Sequence, residues 1–529
     1  MARSGRQWWR GAVGYEVYVR SFADSDGDGV GDLPGLRARL GHIASLGVDF
    51  LWVTPFYPSP MADHGYDVAD YRGVDARFGT LGDVDSLVAE AHQRGLPLVI
   101  DLVPNHTSSE HPWFRAARGD RASPYRDHYV WRDPAPDGGP PNNWVSHFGG
   151  SAWTYDEASG QYYLHLFLPE QPDLNWDNPA VRDEFDAILR FWCERGVDGF
   201  RIDVAHALLK DPELRDNPPA EDRPGGPVEA PGYTEFEHVY DIDQPGVVEI
   251  YRRWYEVVAP YGALLLGEVY LLDPSRVARY VSGDRLHLAL CFTAVRVGWD
   301  ADAIRDVLRV GVDAGGDRFA WPLSSHDDAR APTRFGGGPA GARRALAYLT
   351  LLAGLPGVPI LYQGDELGLP DGEVPPSAAQ DPLDARGAGG GRDGTRTPMP
   401  WDPGPGLGFT AGRPWLPLGG RRPEDTVAWQ EQQPDSHLHR TRRLLAVRRE
   451  SADLRGSAEV GWLTQRGPLV AYRRGDTVVA ADCGQTDLTL ALPPGSWRLR
   501  YATGDGVAVE DRSLRLAPDH AAIVERDAS

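Results

Sequence analysis

Gly199-Phe200-Arg201-Ile202-Asp203-Val204-Ala205-His206 is the stretch from which the fold of this chain is read. It continues an apolar run from Val197, so Val197 to Ile202 reads as a short buried strand with two charges near its exit. Strand side chains alternate faces, which puts Arg201 and Asp203 on the same side. A cation and a carboxylate on one face of a buried strand cost free energy unless something uses them. Two readings follow. Either this is a structural ion pair, or the guanidinium keeps Asp203 ionised at neutral pH, as a carboxylate nucleophile requires.

Working outward, the preceding segment opens with Asp177-Asn178-Pro179, which has the capping chemistry of a helix start. Val181, Phe185, Ile188, Leu189 and Trp192 line one face of that helix. Upstream, Asn105 to Asp173 is rich in Trp, Tyr, Pro and Gly, with short strand-like pieces such as Gln161 to Phe167. That is too long for a βα loop and reads as an inserted small domain. Before it, strands at Gly14–Phe22, Val48–Val53 and Leu96–Leu102 alternate with helices at Leu33–Leu46 and Leu81–Arg94. Downstream comes a Pro- and acid-rich excursion, Lys210 to Asp243, and then a helix at Val247–Val258. Further strands read at Ala263–Leu266, Leu286–Cys291, Phe319–Leu323 and Val358–Tyr362, with Ala342–Leu352 helical before the last.

Eight strands with intervening helices predict an α/β chain folded as a (β/α)8 TIM barrel. After the helix at Leu438–Arg449 the pattern changes. Leu469–Arg473, Thr477–Ala481, Leu488–Leu492 and Trp497–Tyr501 alternate as strands between Gly/Pro turns, which predicts a C-terminal antiparallel, sandwich-like β-domain. The expected organisation is barrel over 1–104, inserted domain over 105–173, barrel again over 174–450 and β-domain over 451–529. A glycine-rich patch, Gly387 to Gly394, reads as a surface loop.

Composition narrows the function. A hydrophobic content of 41% with 17 Trp in 529 residues supplies a large core. Lys plus Arg number 54 against 76 Asp plus Glu, a formal charge of −22. That balance argues against nucleic acid or an anionic membrane as partner, because both need basic surface. Cys193, Cys291 and Cys483 are odd in number and far apart, which suggests reduced thiols. The N-terminus lacks the apolar core of a signal peptide and no 18-residue apolar run exists, so the expected location is cytoplasmic. The expected partner is a small-molecule substrate, bound by a monomer or small homo-oligomer.

Asp24-Ser25-Asp26-Gly27-Asp28-Gly29-Val30-Gly31-Asp32 alternates carboxylates with glycine. Such an oxygen-rich flexible loop suits Ca²⁺, with Asp24, Asp26, Asp28, the Val30 carbonyl and Asp32 as candidate ligands. It lacks the Glu at the twelfth position of an EF-hand, and its flanks are strand then helix. The bland alternative is a solvated acidic turn.

Asp203, Glu268 and Asp327 close the fourth, fifth and seventh predicted strands, so they converge over one barrel mouth. Three carboxyls in one pocket cannot all ionise cheaply, and one must hold a proton. A nucleophile beside an arginine plus a protonated acid is the equipment of retaining glycoside hydrolysis, with carboxyls roughly 5–5.5 Å apart. Glu268 follows four apolar residues and a Gly, which points to it as the acid. His106 and His326 stand beside acids at strand ends and suit hydrogen bonding to sugar hydroxyls.

Together, Asp101-Leu102-Val103-Pro104-Asn105-His106, Gly199 to Asp203, Gly267-Glu268-Val269 and His326-Asp327 resemble the α-amylase superfamily, glycoside hydrolase family 13. The resemblance covers nearly the whole chain and implies Asp203 as nucleophile, Glu268 as general acid/base and Asp327 as a holder of sugar hydroxyls. Gln171-Pro172-Asp173-Leu174-Asn175 and Arg396-Thr397-Pro398-Met399 resemble the α-glucosidase and oligo-1,6-glucosidase branch. In that branch Asp63, Tyr66, His106, Arg201, His326 and Arg396 would hold the terminal non-reducing glucose, and the Asp loop would hold a single Ca²⁺. That implies exo-action on short α-glucosides. Three positions bear on the match: Ser325 stands where the family usually has Asn, Pro400 where the branch often has Gln, and Val204 follows the nucleophile both as in enzymes cleaving α-1,6 bonds and as in α-1,4-glucosidases that carry Asp-Val-Ala-His.

Two other functions fit the same scaffold less well. A glucosyltransferase or isomerase such as a trehalose synthase would carry Ala-Asn-Gln after the acid, where Val269-Tyr270-Leu271 stands. A non-catalytic relative, such as a transporter heavy-chain ectodomain, would have a membrane helix and would have lost the catalytic acids.

Overall fold

The computed structural model describes residues 7–220, 232–385 and 390–527. Parts of the Lys210–Asp243 excursion and of the Gly387–Gly394 patch therefore lie outside the described residues. Eight parallel strands close into a barrel: β1 (Gly14–Val17), β2 (Phe50–Val53), β3 (Leu98–Leu102), β4 (Gly199–Ile202), β5 (Leu264–Gly267), β6 (Leu288–Leu290), β7 (Phe319–Pro322) and β8 (Val358–Tyr362). Each pairs with its sequence neighbours, and β1 closes the ring against β8. The fold class is the expected (β/α)8 barrel with an added antiparallel β-domain.

Two expected elements are shorter than their apolar runs. The first strand stops at Val17, and a 3-10 turn over Val19–Ser21 follows. The helix expected at Leu33–Leu46 is two helices, Leu33–Ala38 and Leu40–Leu46, broken at Arg39. Periodicity ran across the break because both pieces bury the same apolar face, through Leu33, Leu36, Leu40, Ile43 and Leu46.

Pleat alternation decides what fills the barrel. Phe50, Val99, Leu264, Leu288, Leu290, Ala320, Val358 and Ile360 pack in one interior cluster, separate from the larger core under the helices. Near the C-terminal rim polar groups join that lining. In register, Glu16 faces Trp52 and Tyr362, and Asp101 faces Arg201. The apolar layers below leave this polar group one outlet, the mouth of the barrel.

Between β3 and β4 the chain leaves and re-enters through an isolated antiparallel bridge between His106 and Asp173. The segment so enclosed carries a three-stranded antiparallel sheet made of Trp131–Arg132, Gln161–Leu164 and Trp153–Asp156. Beyond the helix His437–Glu450 lie a five-stranded and a three-stranded sheet. The four expected strands are there, joined by Val460–Trp462, Val507–Glu510, Ser513–Leu516 and Ala521–Arg526. No helix among the described residues is long and apolar enough to cross a membrane.

Candidate active site

A cleft with about 740 Å³ of free space, open at its mouth, lies over the barrel rim and is lined by Asp63, Tyr66, His106, Asp203, Glu268 and Asp327, among others. That size and concavity suit a small ligand. Its floor is organised by one guanidinium. Arg201 on β4 is 1% exposed and donates from Nη1 to Asp101 Oδ1 at 2.7 Å and to Asp203 Oδ1 at 2.6 Å. Its Nη2 lies 2.9 Å from Glu268 Oε2. Asp203 and Arg201 share a face, as the strand pleat requires.

The backbone after Asp203 is strained. Val204 has φ +44°, a left-handed conformation that a β-branched residue rarely adopts. This turn aims the Val204 N–H at Glu268 Oε2, 2.9 Å away. Val204 is therefore a bracket between the two carboxyls.

Three carboxyls on one guanidinium leave negative charge to spare. Burial, then the adjacent Glu268 carboxyl, push Asp203 well above the usual carboxylate range, against the pull of Arg201. Asp101 is pushed up to about 6 by burial, again opposed by Arg201. The expected effect of Arg201, holding Asp203 ionised, does not outweigh burial, because the guanidinium is divided among three carboxyls. Asp203 and Glu268 interact directly, and both contact Arg201.

A second cluster forms the wall. Arg392 donates from Nε to Asp381 Oδ2 at 2.7 Å, from Nη1 to Asp327 Oδ1 at 3.2 Å and from Nη2 to Asp63 Oδ1 at 2.9 Å. Arg396 donates from Nη2 to Asp327 Oδ1 at 2.6 Å and from Nε to the His326 carbonyl at 2.8 Å. Asp327 is held well below the usual range: His326, Arg392 and Arg396 together outweigh its burial. Gln171 Nε2 lies 3.3 Å from Asp63 Oδ2 and 3.0 Å from His106 Nε2.

Of the nine residues expected in catalysis and sugar binding, Asp63, Tyr66, His106, Asp203, Glu268 and Asp327 line the cleft. Arg201, His326 and Arg396 sit behind them, each at most 1% exposed, and act through Asp203, Tyr66 and Asp327. Sequence reasoning missed Arg392, which lies within the glycine-rich stretch expected as a surface loop; there Arg392 and Asp393 are instead buried, Arg392 drawn in by the carboxylates of Asp381, Asp327 and Asp63. It also missed Asp101 as a partner of Arg201, although their register pairing follows from two adjacent strands. His147, Phe148, Phe167, His206, Tyr270 and Leu383 complete the lining.

The Asp loop gathers three of its five expected ligands. Carboxylate oxygens of Asp24, Asp26 and Asp28 all lie within 4.8 Å of one another. Gly29 has φ +96°, and a Cβ there would stand 1.9 Å from the Arg413 carbonyl oxygen, so only glycine fits this turn. Asp32, the fourth expected carboxylate, sits where the loop meets the next helix. It caps the following helix, accepting from Gly35 N at 2.6 Å through Oδ1 and from Ser25 N at 2.9 Å through Oδ2. Val30, the fifth expected ligand, is half-buried in the same loop.

The sequence model described as "Alpha amylase, catalytic domain" matches residues 16–456. The chain is 43% identical to a probable alpha-glucosidase of Rhizobium meliloti over 493 residues, 89% of this chain and 87% of that protein. It is 36% identical to an oligo-1,6-glucosidase of Heyndrickxia coagulans over 540 residues, 93% of this chain and 95% of that one. Among solved structures it resembles the alpha-glucosyl transfer enzyme XgtA, with 41% identity, a TM-score of 0.93, and 99% and 100% of the two chains covered.

Proposed function

The chain belongs to the alpha-amylase family, as an enzyme of the α-glucosidase type, and from that premise we propose that it is a retaining, exo-acting α-glucosidase releasing terminal glucose from short, maltose-like α-glucosides. The observation that carries this reading is the convergence of Asp203 and Glu268 on Arg201, with Asp327 across the same cleft.

Asp203 attacks the anomeric carbon as a carboxylate while Glu268 gives its proton to the departing oxygen. Arg201 touches both carboxyls and the Val204 N–H donates to Glu268 Oε2, which supports that pairing by holding the acid beside the nucleophile. A covalent glucosyl-enzyme results, and Glu268 then takes a proton from water as the ester is hydrolysed. Asp327 and Asp63, held by Arg392, accept hydrogen bonds from sugar hydroxyls. Arg392 bridges these two carboxylates, which suits a terminal ring rather than a continuing chain and supports exo-action. Isomaltose-like substrates are the alternative linkage.

A second reading is glucosyl transfer to a sugar hydroxyl in place of water, favoured by the likeness to XgtA. Both readings share the covalent intermediate. We further propose that Asp24, Asp26 and Asp28 hold a structural Ca²⁺, because three converging carboxylates on a glycine-bent loop offer the hard oxygen donors it takes. The ion would brace the loop.

A product time course on maltose, isomaltose, sucrose and trehalose tests the reading. Proton NMR should show α-glucose released first, whereas β-glucose refutes retention. Trisaccharide or trehalose as the main product from maltose refutes hydrolysis as the principal activity.

A further inference from the structure

The family resemblance leaves a buried carboxyl on the barrel floor, Glu16, without a role. Glu16 on β1 is 0% exposed and points into the barrel beside Trp52. Its Oε1 meets His326 Nδ1, and its Oε2 has no hydrogen-bond partner. A buried carboxyl with an unpaired oxygen destabilises a fold, so packing does not explain it. We propose that Glu16 is a positioning residue that fixes His326 as a hydrogen-bond donor from Nε2 toward Asp327 and the sugar hydroxyls beside it.

The assignment follows from counting donors. His326 Nε2 lies 3.1 Å from Asp327 Oδ2 and 2.7 Å from the Tyr66 hydroxyl. Asp327 is ionised between Arg392 and Arg396 and can only accept. A bare Nε2 lone pair would face that carboxylate and repel it, so Nε2 carries hydrogen. The Tyr66 hydroxyl then shares the Nε2 hydrogen with Asp327 and gives its own hydrogen to Asp101 Oδ2 at 3.3 Å. With hydrogen on Nε2, the contact at Nδ1 holds one proton, shared between the imidazole and Glu16. Burial raises the Glu16 carboxyl and lowers His326 to about 3, which places that proton on Glu16. Arg201, Asp327, Asp101 and Asp365 are the other charges acting on Glu16. Without a donor at Nδ1 the ring is free to move its hydrogen there and turn a lone pair on Asp327.

What the donor is used for rests on the glycosidase reading, but the tautomer does not, and two measurements separate them. Nitrogen-15 NMR of histidine-labelled protein, with His326 identified by its loss in H326Q, should show hydrogen on Nε2. A bare Nε2 overturns the proposal whatever the enzyme turns over. In kinetics, Glu16→Gln can donate its amide hydrogen to Nδ1 and should keep kcat within about threefold. Glu16→Leu should lower kcat by about 10- to 100-fold, the range for losing a histidine's orienting partner, with KM changed far less. Equal kcat in Glu16→Leu and the parent, or equal losses in both variants, overturns the positioning role. Should Glu16→Leu fail to fold, the NMR result decides alone.

Discussion

The floor and the wall of the cleft each gather three carboxyls, and they differ in how much positive charge they are given. On the floor, Asp101, Asp203 and Glu268 share the single guanidinium of Arg201. On the wall, Asp63, Asp327 and Asp381 share Arg392 and Arg396. The consequence is opposite titration. Asp203 and Asp101 are pushed up, while Asp327 and Asp381 are pulled well down. An under-compensated cluster keeps a proton in play, as acid–base chemistry needs. A well-compensated one keeps permanent acceptors for hydroxyls. On the proposed reading, one extra arginine separates reaction from recognition.

The contrast is broken most severely on the floor. Asp203→Asn or Glu268→Gln should lower kcat by several orders of magnitude while leaving the circular dichroism spectrum and melting curve close to the parent's. Near-normal turnover in Asp203→Asn would remove the nucleophile from the scheme. On the wall, Arg392→Met strips three carboxylates of a shared partner. Breaking a buried pair on one side costs about 3–5 kcal/mol of folding stability, so Tm should fall, and Asp63 and Asp327, no longer held, should bind the sugar less well, raising KM. A kcat-only loss would move Arg392 from recognition to chemistry.

Asp101→Asn sharpens the comparison by lightening the load on Arg201. Asp101 contributes to the raised Asp203 value, so removing its charge lets Asp203 ionise at lower pH. The acid limb of kcat/KM should move down by about one pH unit, judged from the usual effect of a nearby charge. A shift upward, or none, would mean that Arg201 is not divided as described. Val204→Gly relieves the left-handed strain and should change stability by only about 1 kcal/mol, the scale of one strained residue. It should lower kcat more than it raises KM, because the bracket between Asp203 and Glu268 loosens. The smallest effect belongs to the Asp loop, outside both clusters. Chelation should lower Tm by a few degrees, of the order expected for about 1 kcal/mol, and Ca²⁺ should restore it, with no response in Asp26→Asn. A chelator-insensitive Tm in the parent would leave the loop a plain acidic turn.

How far the sequence reached can be judged on particular residues. Arg201, Asp203, Glu268 and Asp327 were legible because each breaks an apolar strand at the end where barrels place their sites. Arg392 was not, because it stands in a run of glycines with no apolar strand or helix period around it to mark a site. The four further strands of the β-domain were missed because Val460–Trp462, Val507–Glu510 and Ser513–Leu516 are only three or four residues long, and Ala521–Arg526 is fixed by pairing with two distant strands.

The sequence by itself determined the barrel, since apolar periodicity and strand order are local properties that add along the chain. It also determined the convergence of the strand-end acids, since closing eight parallel strands gathers their ends. Only the tertiary structure decided how the charges are shared. That Arg201 serves three carboxyls, that Val204 takes φ +44° to bracket two of them, and that Glu16 meets His326 across 310 positions are matters of distance and burial. Electrostatic energies in a buried cluster turn on separations of an ångström and on who is shielded from water, and neither is written in the order of residues.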